Sequence, residues 1–98
     1  MEKDLYVSAL LDVYGEFLSE KQRSLAELYY NDDLSLGEIA ENEGITRQGV
    51  RDMVKRAEQQ LYKFEEKCGY CKKFSRLKTL CENCKENINE IKGIIEGL

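Results

Sequence analysis

Two groups of residues in this chain have types and spacings that can do chemistry: four cysteines near the C-terminus and a run of cations in the middle. Cys68-Gly-Tyr-Cys71 and Cys81-Glu-Asn-Cys84 form two C-x₂-C pairs separated by nine residues. Four thiolates at ~2.3 Å would complete a tetrahedral zinc site. The same positions also suit a plain packing role, because free Cys is among the most buried residue types. Cys81 and Cys84 fall in register with an apolar seam, and Cys68 and Cys71 continue a stripe from Leu61 and Phe64. A continuous helix through the region would hold Cys71 and Cys81 ~15 Å apart, too far to share one ion. The expectation is core cysteines, with no metal and no cofactor. Disulfides are not expected in a reducing compartment.

The second group is Arg47, Gln48, Arg51, Asp52, Lys55 and Arg56, preceded by Thr46. Long polar side chains at these steps can hydrogen-bond base edges and phosphates. Catalytic alternatives are scarce. The 98 residues contain no His, no phosphate-cradling Gly-Lys loop and no nucleophile elbow. An enzyme is not expected.

Charge divides the chain. Residues 1–43 hold three bases against eleven acids, net −8; residues 44–63 hold five against two, net +3; residues 64–98 are net +1. An acidic total of −4 disfavours tight non-specific nucleic-acid binding, while the basic segment keeps a modest DNA surface open. No window reaches the ~18 apolar residues of a membrane span. The acidic start MEKDLYVSALLDVYGE is unlike a signal peptide, so a cytoplasmic protein without membrane contact is expected.

The elements that must position these residues read as helices. Val7, Leu10, Leu11, Tyr14, Phe17 and Leu18 recur at three- and four-residue steps, with Asp4 as N-cap. Ser19 with Gln22 spells a capping box for a second helix carrying Leu25, Leu28 and Tyr29, which Asn31-Asp32-Asp33 ends. Ser35 with Glu38 spells another box, for a short helix to about Glu43 that Gly44 stops. Thr46 caps a fourth helix with an inner face of Val50, Met53, Val54, Ala57, Leu61 and Phe64. Phe74, Leu77, Cys81, Cys84, Ile88, Ile91, Ile95 and Leu98 then form a heptad seam on a C-terminal helix. The expected fold is all-α, with about four helices in residues 1–66 and a helical extension in 67–98.

Residues 35–56 carry the requirements of a helix-turn-helix. Ala40 is small where the helices cross, Gly44 tolerates the turn four places on, and Ile45, Val50 and Met53 lock the second helix. Its outward first turns present the polar run, as a helix entering the major groove N-terminus first would need. Glu43 stands where an apolar residue would close the inter-helix contact, and Gly49 costs roughly 1 kcal/mol relative to Ala inside a helix.

On these residues the chain is similar to a known family. Residues 35–61 resemble region four of bacterial housekeeping sigma factors, the part that reads a promoter element. The whole chain resembles the small bacterial YlxM-type family, through Leu-Asp-Val-Tyr at 11–14, Ser19 to Arg23, Leu28 to Glu41, Arg47-Gln48, Lys55-Arg56 and Lys73-Phe74. The resemblance implies a cytoplasmic, helix-turn-helix regulatory protein. Genes of that family neighbour those for the signal recognition particle GTPase and its receptor, which implies a link to that pathway. Gly49, where the family would have Ala, and the cysteines depart from the pattern.

The resulting expectation is a regulator that binds double-stranded DNA through Thr46, Arg47, Gln48, Arg51, Asp52, Lys55 and Arg56. The alternative is an adaptor of the same fold that binds no DNA and docks on the signal recognition particle GTPase or its RNA. The apolar seam and the wide face of the first helix (Leu5, Tyr6, Leu10) exceed what one chain hides easily. A homodimer with Ile88, Ile91 and Ile95 in its interface is therefore expected.

Overall fold

Each helix forms where a cap and an apolar stripe coincide. The structure, a computed structural model, describes residues 3–98; Met1 and Glu2, at the start of the expected 1–66 unit, lie outside the described residues. The helices are α1 (Leu5–Tyr14), α2 (Glu20–Tyr30), α3 (Leu36–Glu43), α4 (Arg47–Cys68), α5 (Tyr70–Cys81) and α6 (Cys84–Glu96), with a 3₁₀ turn at Gly15–Phe17. The described residues contain no strand, and the fold is all-α as expected. No described helix is long and apolar enough to cross a membrane.

The caps act largely as the sequence spells them. Asp4 Oδ1 accepts from Tyr6 N at 2.9 Å, and Ser19 Oγ from Gln22 N at 3.2 Å. The Ser35–Glu38 box is reciprocal: Glu38 N donates to Ser35 Oγ at 3.1 Å and Ser35 N to Glu38 Oε1 at 3.2 Å. Thr46 Oγ1 accepts from Gly49 N at 3.0 Å. Gly44 ends α3 in the left-handed region at φ 68°, where an L side chain is strained. A Cβ on Gly49 would stand 3.0 Å from Thr46 Oγ1, so the glycine gives room to the capping hydroxyl.

Two apolar clusters share α4 as their common wall. Val7, Leu10, Leu11, Tyr14 and Leu18 meet Ala26, Ala57, Leu61 and Cys71 in one. Leu25 and Tyr29 of α2, Leu36, Ile39 and Ala40 of α3, and Val50 and Val54 of α4 form the other. Lys3 pins the α2–α3 loop, donating to Asp33 Oδ1 at 2.8 Å and Leu34 O at 3.1 Å while lying 4.6 Å from the Tyr29 ring centroid. Asp33 takes φ 59° there, and the Lys3 hydrogen bond holds its carboxyl below the usual range.

Several expectations need correction. Phe17 is 69% exposed rather than on the core face, because the 3₁₀ turn rotates it off the α1 stripe. Among the cysteines only Cys71 is buried; Cys68, Cys81 and Cys84 are exposed. The C-terminal seam is not one helix. The chain breaks at Glu82-Asn83, Asn83 adopting φ −124° and ψ 59° and Asn87 Nδ2 donating to Leu80 O at 3.0 Å. The physical reason is burial. One long helix would leave its seam uncovered, whereas two helices folded back on each other bury Leu80 on one and Ile91 on the other. Ile91, expected at an intermolecular interface, therefore lies inside this hairpin. Cys81 and Cys84 sit at its tip.

Among the described residues a single polar knot joins the hairpin to the rest. Gly69, at φ 65°, ends α4, and α5 starts at the next residue. The first N–H groups of a helix have no intrahelical acceptor. Here Tyr70 N donates to Tyr14 Oη at 3.0 Å, Cys71 N to Glu65 Oε1 at 3.0 Å and Lys72 N to Glu65 Oε2 at 3.1 Å. Tyr14 Oη in turn donates to Glu65 Oε1 at 2.6 Å. Burial pushes the Tyr14 phenol up to about 12, with the Glu65 hydrogen bond adding to it. Burial alone would raise the Glu65 carboxyl; the hydrogen bonds from Tyr14, Cys71 N, Lys72 N and Tyr6 together outweigh it and leave the group below its usual value of 4.5.

Two predictions follow from these contacts. Tyr14→Phe strands Tyr70 N and removes a donor from Glu65, and should cost about 1–3 kcal/mol in urea unfolding. Because the folded Glu65 binds its proton less readily than the unfolded chain, its contribution is complete above about pH 4.5 and lost as pH falls below it. Glu65→Gln should flatten that acid limb; an unchanged limb would show that the carboxylate is not the cause. At the turn, Thr46→Ala should cost about 1 kcal/mol. Gly49→Ala should stabilise by up to about 1 kcal/mol, since a capping hydroxyl can shift a few tenths of an ångström. Both are read from thermal or urea midpoints.

Candidate nucleic-acid interface

The α3–α4 unit is built so that the start of α4 stands proud of the molecule. Ala40 lies at the crossing, 8% exposed, and its carbonyl accepts from Gly44 N and, at 3.2 Å, from Ile45 N. Val50 and Val54 are fully buried and Met53 half-buried, which fixes the rotation of α4 about its axis. Ile45, expected as part of the lock, is 36% exposed and covers only the edge of the contact. Glu43, unexpected for its charge, is half-buried, and Lys21 Nζ donates to its Oε2 at 3.4 Å, tying α3 to α2. Exposed ion pairs of this kind contribute little, ~0–1 kcal/mol.

With that rotation fixed, Thr46, Arg47, Gln48, Arg51, Asp52, Lys55 and Arg56 are all exposed. Among the described residues none of the four cations makes an ion pair within 4.0 Å. Their charges are therefore free to meet phosphates. Thr46 Oγ1 accepts from Gly49 N as the helix cap, which leaves its O–H able to donate. Gln48 Nε2 donates to Asp52 Oδ1 at 2.9 Å, so these two act as one unit: the acid orients the amide and leaves its carbonyl oxygen unengaged by Asp52. Arg47, Gln48 and Arg51 line a shallow hollow against Leu36 at the start of α3.

The helix extends the polar row beyond the residues that the sequence singled out. Arg47, Arg51, Lys55, Gln59 and Lys63 recur every fourth residue and are all exposed; each step of four advances ~40° about the axis, so the row winds ~160° around the outward side of α4. Gln59 and Lys63 were missed, although the four-residue step was visible in the sequence. The exposed acids of the first half sit on α1, the 3₁₀ turn, α2, the α2–α3 loop and α3 itself, with Asp12, Glu16, Glu20, Asp32, Glu38 and Glu41 among them.

The cysteines do not add a metal centre within one chain. Cys71 and Cys81 stand at opposite ends of the 12-residue α5, ~15 Å apart along its axis. No group of three or more Cys, Asp or Glu side chains converges among the described residues.

Known proteins share this sequence over most of its length. Residues 1–98 match the family described as "Putative helix-turn-helix protein, YlxM / p13 like". A UPF0122 protein of Desulforamulus reducens is 54% identical over 70 residues, 71% of this chain and 60% of the relative, so the match spans less than two thirds of that protein. One from Clostridium kluyveri is 44% identical over 97 residues, 98% of this chain and 78% of the relative. One from Bacillus cereus is 43% identical over 98 residues, 100% of this chain and 89% of the relative. The chain belongs to the UPF0122 family, the YlxM / p13-like helix-turn-helix proteins.

Proposed function

We propose that this protein is a cytoplasmic regulator that binds double-stranded DNA with the first turns of α4 in the major groove. The observation that carries this reading is the unpaired row Arg47, Arg51, Lys55 and Arg56 on the exposed face of a helix held across the Gly44 turn. In the proposed complex Arg47, Gln48 and Arg51 face base edges, and Lys55 and Arg56 lie near phosphates. Asp52 holds the Gln48 amide so that one hydrogen-bonding edge is presented at low entropic cost. The α4 N-terminus adds the positive end of a helix dipole. No catalytic step is part of this reading.

A second reading is an adaptor in the signal recognition particle pathway, docking on the GTPase or its RNA. The acidity of residues 1–43, net −8, favours it where the partner is a basic protein.

Selection from random duplexes at moderate salt distinguishes the two. The DNA reading predicts an enriched sequence. Arg47→Ala and Arg51→Ala should each weaken binding to it by ~1–3 kcal/mol and relax specificity at one position. Lys55→Ala should weaken all duplexes alike and reduce the salt slope by ~1. Circular dichroism of the variants should be unchanged, since all three side chains are exposed. No enrichment would discard the DNA reading and favour the adaptor.

A further inference from the structure

Gln48 and Asp52 stand one turn apart on the exposed start of α4, and the hydrogen bond between them limits what the amide can offer a base. A carboxylate only accepts, so the amide atom facing Asp52 Oδ1 at 2.9 Å is the nitrogen Nε2. A primary amide carries two N–H groups and one carbonyl oxygen. With one N–H committed to Asp52, one donor and one acceptor are left. Among the described residues neither the Gln48 amide nor the Asp52 carboxylate makes any other hydrogen bond. Gln48 lines the hollow together with Arg47, Arg51 and Leu36, whereas Asp52 stands outside that lining. The amide is thus the group in front, and the acid holds it from the side.

Base edges differ in what they ask of such a group. In the major groove adenine presents an acceptor at N7 and a donor at N6, while guanine presents two acceptors, N7 and O6. One donor beside one acceptor is the complement of adenine. Guanine needs two donors, and the second N–H of Gln48 is already taken. Cytosine offers only the N4 donor and thymine only the O4 acceptor, so each uses half of what the amide presents. We infer, resting on the DNA reading above, that Gln48 reads adenine at one position of the bound duplex and that Asp52 makes it reject guanine.

Charge supports the division of roles. Asp52 is the one acid in residues 46–56, among Arg47, Arg51, Lys55 and Arg56. A negative charge on a face turned to phosphates weakens binding to every duplex alike, so what the acid contributes there is discrimination. Its unpaired oxygen also repels the two acceptors of guanine. Specificity gained through such a repulsive element is separable from affinity. The other role open to the pair is to support the helix, since Gln and Asp four residues apart stabilise a helix slightly. That role would leave base preference untouched.

Selection from random duplexes, repeated with Gln48→Ala, Asp52→Ala and Asp52→Asn in the full chain, tests the inference. The unaltered chain should prefer adenine to guanine at one position by about tenfold or more. Gln48→Ala should abolish the preference at that position alone. Asp52→Ala should bring guanine level with adenine there while tightening binding to every duplex. Asp52→Asn keeps an acceptor for the amide and removes the charge, so adenine should stay ahead while binding still tightens. Three results would overturn the inference and leave the DNA reading standing. They are an enriched site indifferent to Gln48→Ala, a base other than adenine at the position Gln48→Ala affects, or an unchanged adenine-to-guanine ratio in Asp52→Ala. No enrichment with the unaltered chain would remove the DNA reading, and the adenine assignment with it.

Discussion

Glu65 and Tyr14 stand between the two halves of the molecule, and the geometry of both halves depends on their contact. The carboxylate sits in the last turns of α4 and the phenol at the end of α1, yet together they supply the acceptors for the first three N–H groups of α5. Without acceptors the two part-buried groups, Tyr70 N and Cys71 N, would each cost ~1–3 kcal/mol. With them, α5 leaves α4 at the αL glycine in one direction only. The same phenol is fully enclosed in the α1–α4 cluster, so the hairpin and the helix-turn-helix body share one fixed point.

Helix α4 transmits that fixed point to the other end. Its buried stripe (Val50, Val54, Ala57, Leu61) packs on α1, α2 and α3 in turn, which sets one rotation along all 22 residues. The outward row from Arg47 to Lys63 is the necessary complement of that inward stripe. Function and stability are thus coupled through the helix axis. A substitution that rotates α4 to repack Ala57 would also turn the cations away from a groove.

The parts readable in the sequence are those whose determinants lie within a few residues. The Ser35–Glu38 box, the Gly44 stop and the Thr46 cap each span four residues or fewer, and the structure realises all three. The Tyr14–Glu65 contact spans 51 positions, and no local pattern announces it. The C-terminal seam misled for another reason: steps of three and four describe a long helix and a folded pair equally well. What decides between them is the Glu82-Asn83 break and the burial of Leu80 and Ile91, a tertiary gain. The exposure of Cys81 and Cys84 follows from that fold-back. At the candidate interface the residue types, their exposure and the four-residue step that leads on to Gln59 and Lys63 are legible in the sequence, whereas the Gln48–Asp52 pairing emerges from the geometry.

The account rests on α4 being the surface that meets nucleic acid. Amide chemical shifts of the ¹⁵N-labelled chain, followed as the duplex enriched from a random pool is added, test this most directly. The account predicts that the largest changes fall on residues 46–56, with α1 and α2 little affected. Changes centred on the acidic faces of α1 and α2, or none at saturating duplex, would contradict it.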